Sequence, residues 1–395
     1  MRRLPVSLAL CVSLALSASL ALGVSGIASA ETIGGEQLSK RGVQVNLEPG
    51  AKPVPEIWAE TWILVDATNG TVLAAKNPHD QRPPASTLKT LTALTVLQDL
   101  TLDQKYMAKT KDTRIEGAHA GLIAGKRYTV EDLLYAMFLL SGNDAATALA
   151  RAPGSVKRTV QRMNEVARQL QANDTKAKTP TGLDHKGQVS SAYDLALIAR
   201  AGLARPDFAT FVSTKSHRFP GGGGSMRTIY NQNRLLMGGF RGAVGVKTGY
   251  TSNAGRTFVG AATRKGTTLI FAGMGIHDGS ASAAAKALRW GFKNMGKVTP
   301  IGTMVGPIQA AGDGSALPDS PTGASDEELA TAGLTIPSSD DSMAPWWFWL
   351  IIVLAVAGLI LGWLGNRRRI EGGQGAGAHQ ATSRAMREYR GNQQL

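Results

Sequence analysis

The sequence predicts an α+β domain in which helices flank an antiparallel β-sheet. Two hairpin patterns and the helical pattern between them support this prediction. The first hairpin joins Trp62–Asp66 to Thr71–Ala74 through an Asn-Gly turn, and the second joins Thr257–Ala261 to Thr267–Phe271. Strands at both ends of a domain, with helices between them, are typical of one sheet covered by helices.

Helix signals follow one another between the two hairpins. Leucines recur every three residues from Ser86 to Leu100, which places them on one helical face. Two further helices begin at Ser/Thr-x-x-Asp patterns of the capping-box type. Those patterns are Thr129 to Asp132 and Ser191 to Asp194, and a closing helix is predicted at Ser282–Lys293.

The N-terminal residues 1–30 have the pattern of a secretory signal. Two arginines precede an apolar stretch, which ends in small residues at Ala28-Ser29-Ala30. Cleavage is expected before Glu31. Residues 31–56 are then a polar leader segment, and the folded domain is predicted at residues 57–299.

A second apolar run near the C-terminus predicts one transmembrane helix at residues 345–365. It is uncharged and bordered by tryptophans, which favour the membrane interface. Arg367-Arg368-Arg369 follow, so the basic tail 366–395 is expected in the cytoplasm. Residues 300–344 are rich in Ala, Gly, Ser, Pro and Asp, and predict a disordered acidic linker.

Charge and cysteine content restrict the function class. The chain has a formal net charge of +14, and its single cysteine, Cys11, lies in the signal. A mature chain without disulfides fits a bacterial envelope protein. A basic exported domain is expected to face anionic wall polymers or lipid headgroups, and without a nucleic-acid motif we expect no nucleic-acid partner.

Ser86 and Lys89 form the first of three short motifs that carry chemistry. Pro83-Pro84 suit the approach to a helix, so Ser86 is expected near a helix N-terminus with Lys89 one turn on. A buried lysine with a lowered pKa can take the serine proton and create a nucleophile. Lys247 is the candidate for a second cation that lowers this pKa.

The second and third motifs supply polar groups that can relay a proton and bind a peptide substrate beside Ser86. Ser141-Gly142-Asn143 ends an apolar helix, where a hydroxyl can relay a proton and an amide can hold a peptide carbonyl. Lys247-Thr248-Gly249 ends a predicted strand, where a small residue lets a substrate backbone lie alongside. Each motif alone is weak evidence, but their order and spacing together indicate a serine acyl-transfer site.

With these motifs the sequence resembles the low-molecular-mass penicillin-binding proteins, serine-type D-alanyl-D-alanine carboxypeptidases. The resemblance runs from about Trp62 to Phe292 and includes the surroundings of all three motifs, Thr181-Gly-Leu-Asp184 and Trp290-Gly-Phe292. It implies a β-lactamase/transpeptidase-like fold with a helical subdomain. The implied partners are peptidoglycan pentapeptide stems, with β-lactams as covalent inhibitors, and no cofactor or metal.

The resemblance also implies a role for each site residue. Ser86 is the nucleophile and Lys89 its base, while Ser141 and Asn143 shape proton transfer and substrate placement. The backbone N–H groups of Ser86 and Tyr250 form the oxyanion hole. Lys247 and Thr248, with Gly249 beside them, bind the substrate carboxylate.

Two departures from the family are visible. Here a linker leads directly to a membrane span, where many relatives have a second, β-rich domain. Many relatives also have an arginine in the loop after the strand that follows the Lys-Thr-Gly strand, whereas Met274–Ser280 has none. The support for carboxylate binding by Lys247 and Thr248 is therefore weaker than the support for Ser86.

Three alternative functions compete with the carboxypeptidase prediction. A β-lactamase-like hydrolase needs a glutamate that activates water, and Glu165 is expected to face solvent from a helix. A catalytically inert wall-binding anchor is disfavoured because the Ser and Lys residues of the motifs are intact. A zinc peptidase is excluded because the six histidines lack ligand spacing.

Overall fold

The computed structural model describes residues 32–308, which form a sheet with helices on both faces. The strands are β1 Val43–Gln44, β2 Asn46–Leu47, β3 Ala59–Asp66, β4 Thr71–Lys76, β5 Lys105–Met107, β6 Arg127–Thr129, β7 Ser216–Pro220, β8 Met226–Tyr230, β9 Ala243–Thr251, β10 Gly255–Arg264, β11 Thr267–Ile276, β12 Val298–Thr299 and β13 Gly302–Thr303.

The main sheet is antiparallel and has the strand order β1-β4-β3-β11-β10-β9, with β13 also paired to β4. Both predicted hairpins are present, as β3–β4 and β10–β11. Strand β11 pairs with β3, which brings the two ends of the domain together at the centre of the sheet. Strand β9 lies at the sheet edge, with Lys247 opposite Val259 and Gly249 opposite Thr257.

The helices are α1 Lys89–Asp99, α2 Thr110–Thr113, α3 Val130–Leu139, α4 Asn143–Arg151, α5 Val156–Gln169, α6 Ala192–Leu203, α7 Pro206–Ser213, α8 Arg234–Met237 and α9 Ser280–Lys293. The Thr129 capping box before α3 is confirmed, since the Thr129 hydroxyl accepts the Asp132 N–H and the Asp132 carboxylate accepts the Thr129 N–H. Ser191 likewise caps α6 through the N–H of Asp194. The closing helix α9 begins two residues earlier than predicted.

Alternation along the central strands divides the core into two layers. Ile63 and Val65 of β3 pack into the larger cluster, together with side chains of α1, α3, α4 and α6. Trp62 and Leu64 point to the other face and pack with Trp290 of α9. A strand whose successive side chains are all buried on opposite faces needs a layer of helices on each side. The predicted α+β class, an antiparallel sheet flanked by helices, is confirmed.

The ordered sheet extends beyond the predicted bounds 57–299. β1 comes from the predicted leader segment and pairs with β4, and β2 pairs with β12. At the other end, Ile301 and Met304 are buried and β13 pairs with β4, although the linker was predicted from residue 300. Two-residue strands carry too little periodicity to be predicted, so pairing with the sheet determines them.

No helix within residues 32–308 is long and apolar enough to cross a membrane. The predicted signal 1–30, most of the predicted linker, the transmembrane helix 345–365 and the tail 366–395 lie outside the described residues.

Candidate active site

Ser86 lies where the chain turns from the sheet into α1. It is the second residue of a short 3-10 helix, Ala85–Leu88, that runs directly into α1. Ala85 has a φ of 48°, a left-handed conformation that is unusual outside glycine. Thr87 and Thr257 both donate from their hydroxyls to the carbonyl of Pro84, at 2.5 and 2.8 Å. The strained turn is thereby fixed from two sides, and it presents Ser86 to the cleft.

Lys89 is fully buried and its ammonium nitrogen contacts three oxygens. Nζ lies 2.8 Å from Ser86 Oγ, 2.7 Å from Asn143 Oδ1 and 2.6 Å from the carbonyl oxygen of Thr181. A neutral amine has two N–H groups, which the two carbonyl oxygens can accept. Its lone pair is then left for the hydroxyl proton of Ser86, which is the geometry a general base requires.

Burial and a neighbouring cation make Lys89 suited to this neutral state. Burial is the larger cause that lowers its pKa well below the usual value, and the charge of Lys247 lowers it further. Asp144 acts in the opposite direction. The position of Lys89 therefore favours the neutral amine far more than in a free lysine, because a charged amine there would be desolvated and would be repelled by protonated Lys247.

Lys247 is the second cation that the sequence predicts. It is 2% exposed on β9, and its Nζ donates to the carbonyl oxygen of Thr248 at 2.9 Å. Burial lowers the pKa of Lys247 to about 7. Lys247 does not line the open cleft, and when it is protonated its charge lowers the pKa of Lys89 from within the protein.

The second motif places Ser141 and Asn143 on opposite sides of a tight turn. Ser141 is buried with a φ of 58° and lines the cleft, as a strained backbone at a functional site often does. Asn143 begins α4, and its Nδ2 donates to the carbonyl oxygen of Glu116 at 2.6 Å. That contact fixes the amide so that Oδ1 faces Lys89.

Asp144 organises the loop opposite Ser86, a role that sequence reasoning missed. Its buried carboxylate accepts the backbone N–H groups of Ala120, Gly121 and Leu122 at 2.8 to 3.0 Å. A Cβ at Gly142 would come within 2.8 Å of Asp144 Oδ1, so glycine is required there. The acid that directly follows the Ser-Gly-Asn motif is the sequence signal that could have identified Asp144.

Strand β9 brings Gly249 against the backbone of the nucleophile. A Cβ at Gly249 would lie 2.3 Å from Thr257 Oγ1 and 2.9 Å from Ser86 N, closer than real contacts allow. Gly182 is equally close on the other side, where a Cβ would lie 1.9 Å from the carbonyl oxygen of Ala85. Both glycines allow backbone to pack closely against the turn at Ser86.

The cleft in front of Ser86 has a volume of about 420 Å³. Besides Ser86, its lining includes Ser141, Asn143, Thr248, Gly249 and Tyr250 of the predicted site residues. Lys89 and Lys247 are buried and adjoin it. The structure therefore brings all eight predicted residues together, six at the surface of the cleft and two within the protein.

Arg256 is the cation that lines the cleft, and sequence reasoning overlooked it. It lies on β10 directly opposite Tyr250, nine residues after Lys247 and across the β9–β10 turn. The loop Met274–Ser280 has no arginine, as the sequence indicates, but an arginine from the neighbouring strand lies at the cleft instead. Counting the hairpin register from Lys247 could have found it.

The lining of the cleft contains no carboxylate among the described residues. Glu165, the glutamate considered for a β-lactamase-like reaction, lies on α5, where it pairs with Arg162 at 3.2 Å and is 45% exposed. The expectation that Glu165 faces solvent is confirmed.

Fold and site together define a serine-type hydrolase with a lysine base candidate beside the serine. The chain belongs to the family of D-alanyl-D-alanine carboxypeptidases, whose family model matches residues 48–278. It is therefore a penicillin-binding-type hydrolase with serine D-alanyl-D-alanine carboxypeptidase function, as the sequence resemblance predicts.

Individual relatives agree with this assignment. D-alanyl-D-alanine carboxypeptidase DacB2 of Mycobacterium tuberculosis is 42% identical over 250 residues, which are 62% of this chain and 85% of the relative. DacD of Escherichia coli is 36% identical over 62% of this chain and 66% of its own length. The crystal structure of the Streptomyces K15 DD-transpeptidase matches with a TM-score of 0.58 and 33% identity, over 61% of this chain and all of that one.

Proposed function

We propose that this protein is a membrane-anchored, extracytoplasmic carboxypeptidase that removes the terminal D-alanine of peptidoglycan stem peptides through a Ser86 acyl-enzyme. One observation carries the proposal: the buried Lys89 Nζ lies 2.8 Å from Ser86 Oγ, with two carbonyl oxygens placed to accept its N–H groups. The family assignment supplies the substrate class.

Acylation begins when Ser86 Oγ attacks the carbonyl carbon of the penultimate D-alanine. The hydroxyl proton passes to neutral Lys89, and the negative charge that develops on the carbonyl oxygen is stabilised by the N–H groups of Ser86 and Tyr250. The intermediate then collapses and its C–N bond breaks. The leaving amine takes the proton, relayed through Ser141, and free D-alanine departs.

Deacylation returns the enzyme to its starting state. Water attacks the ester carbonyl, a proton passes to Lys89, and the bond to Ser86 Oγ breaks as the serine regains its hydrogen. A β-lactam would acylate Ser86 by the same first step. Because no carboxylate lines the described cleft to activate water, we expect its acyl-enzyme to persist, which disfavours a β-lactamase-like function.

The substrate carboxylate is assigned to the end of the cleft beside Thr248. Thr248 and Arg256 both line the cleft, and an arginine provides the fork of N–H donors that suits a carboxylate. Lys247 contributes its charge from within the protein. Asn143 and the edge of β9 hold the peptide backbone in front of Ser86.

The first experiment measures D-alanine released from a pentapeptide stem by the full chain purified in a nonionic detergent. We expect release by the wild type and its loss in Ser86→Ala. Ser225→Ala removes an exposed hydroxyl that does not line the cleft, so this variant should release D-alanine at the wild-type rate. Penicillin labelling without D-alanine release would instead favour a transpeptidase or binding function and would refute the carboxypeptidase proposal.

The membrane topology is proposed from the sequence signals alone. Because the predicted mature chain lacks cysteine, single cysteines can report the side of the membrane. On intact cells, a membrane-impermeant maleimide should label Ser225→Cys and spare Ser383→Cys. The opposite labelling, or labelling of both, would contradict the proposed orientation.

A further inference from the structure

A second concave surface, which we call the arginine groove, lies away from Ser86. It is lined by Phe240, Arg241, Arg264, Arg289 and Phe292. Two adjoining cavities of about 630 and 520 Å³ share Arg241 and Arg264, so the groove is elongated rather than a single pocket.

Aromatic rings hold the arginines of the groove together. The Arg264 guanidinium lies 4.4 Å from the ring centre of Phe292 and 4.9 Å from that of Phe240. Arg289 lies over the same Phe240 ring at 5.7 Å. Arg264 Nε also donates to the carbonyl oxygen of Arg241 at 3.2 Å. These contacts orient the guanidinium planes and leave N–H donors toward the groove.

The positive charges of the groove have no acidic partners within residues 32–308. None of Arg241, Arg264 and Arg289 forms an ion pair there. Between Asp207 and Asp278 the sequence has nine lysines and arginines and no acid. Burial, and then the charges of Arg241 and Arg289, lower the pKa of Arg264. Gathering like charges costs free energy, which a bound polyanion would offset.

The shape and chemistry of the groove select the kind of anion. Guanidinium groups bind phosphate oxygens through paired N–H donors. An elongated groove with several cations fits successive phosphates better than one small ion. Docking to a bilayer surface usually requires bulky apolar side chains that project outward. Among residues 32–308, Met295 is the one large apolar side chain exposed in the lining of the groove. Phe240 and Phe292 are half-buried beneath Arg264, so a polymer fits the groove better than a membrane.

The groove is separate from the cleft but lies on the same elements. Arg256 lines the cleft at one end of β10, and Arg264 lines the groove at the other end, about 26 Å away at the usual rise of a strand. Helix α9 similarly contributes Ser280 to the cleft and Arg289 to the groove. A polymer held in the groove would therefore leave the cleft open.

We propose that the arginine groove binds a phosphodiester-linked anionic polymer. Attachment at a second site would keep the enzyme near immobile, wall-bound substrate and raise the effective concentration of stem peptides at Ser86. The inference goes beyond the proposed reaction and does not depend on it.

The test measures binding of a fluorescent glycerol-phosphate oligomer to the full chain in nonionic detergent. Arg241→Gln/Arg264→Gln should weaken binding about tenfold or more, since the variant removes two guanidinium groups that pair with phosphate oxygens. Lys157→Gln/Arg158→Gln removes two exposed charges from α5 and should leave binding within about twofold. The thermal unfolding of both double variants, and their D-alanine release from a short peptide, check that fold and cleft are intact.

Three outcomes would overturn the proposal. Equal weakening by the two double variants would show a diffuse charge effect, and equally tight binding of a polyglutamate of matched length would show that phosphate is not selected. Arginine-dependent binding to phosphatidylglycerol vesicles without oligomer binding would assign the groove to a lipid surface.

Discussion

Two buried lysines make the reaction of Ser86 depend on pH. Lys89 must be neutral to accept the serine proton, so kcat/KM for D-alanine release should rise as pH increases through its lowered pKa. Lys247 must be charged to attract the substrate carboxylate, so kcat/KM should fall as pH increases through about 7. We therefore expect a bell-shaped dependence of kcat/KM on pH. Because Lys89 and Lys247 interact, the two apparent pKa values of this profile describe the pair of lysines together.

Lys247→Met tests which lysine produces which limb. Without the neighbouring charge, Lys89 keeps its proton to higher pH, so the rising limb should move to higher pH and the falling limb should disappear. The measurement is kcat/KM for D-alanine release from pH 5 to 10. Limbs that stay in place in Lys247→Met would contradict the assignment.

Arg256 is expected to bind the substrate carboxylate. Arg256→Gln should raise the KM for a pentapeptide stem about tenfold to hundredfold, because a charge-assisted hydrogen bond contributes about 1.5–3 kcal/mol. The change in kcat should be smaller, since the arginine does not touch the reacting atoms. Arg158→Gln, an exposed arginine on α5, is the matched control, and an unchanged KM in Arg256→Gln would refute the role.

At the scale of elements, the site depends on strand β9 lying against the turn that carries Ser86. The Cβ of Gly249→Ala would meet Ser86 N and Thr257 Oγ1, so the strand must move away from the nucleophile. Displacing reacting groups by about 1 Å can cost a hundredfold in rate. We expect kcat/KM for D-alanine release to fall by about that factor.

Gly222→Ala is the matched control for Gly249→Ala, because its Cβ would meet only the end of the Ile123 side chain at 3.6 Å. This variant should retain the wild-type rate. Wild-type activity in Gly249→Ala would show that the close approach of β9 is not needed.

Several elements could be predicted from sequence because their signals are local. The two hairpins follow from alternating residues and a tight turn, and α3 follows from its capping box at Thr129. The position of Lys247 beside Lys89 is a different matter. The resemblance of three motifs predicts it, but only the packing of β9 against the turn that carries Ser86 establishes it, because sequence spacing does not determine contacts between elements.

Contacts that cross between elements could not be predicted. Asp144 acts through a loop more than twenty residues away in sequence, and Arg256 reaches the cleft from a neighbouring strand. Short strands such as β1 and β13 depend wholly on the strand they join. The sequence therefore identifies the chemical groups of the site, whereas the fold determines how they are oriented.

At the scale of the whole molecule, the stability of the domain should fall as pH rises. Asp194 is buried near Asp174, and burial raises the pKa of Asp194 to about 7. A raised pKa means that the folded state holds a proton that the unfolded state releases near pH 4. The stabilisation is complete below about pH 4 and is lost as pH increases toward 7.

Thermal unfolding between pH 4 and 8 measures this effect. The wild-type Tm should decrease across that range, apart from contributions of other groups. Asp194→Asn removes the titrating proton and should show a shallower decrease. An identical slope in the two proteins would show that Asp194 does not titrate in this range.

The separation of the two surfaces is also a property of the whole molecule. Catalysis is assigned to one end of the β9–β10 edge and polymer binding to the other. Variants of the arginine groove and of the cleft should therefore affect different assays.

Trapping of the acyl-enzyme is the sharpest test of Ser86 as nucleophile and Lys89 as its base. The full chain is mixed with benzylpenicillin, and its intact mass and peptide map are measured. We expect one covalent adduct, located on Ser86, which is absent from Ser86→Ala and forms much more slowly in Lys89→Met. No adduct on the wild type, or an adduct that persists in Ser86→Ala, would contradict this expectation.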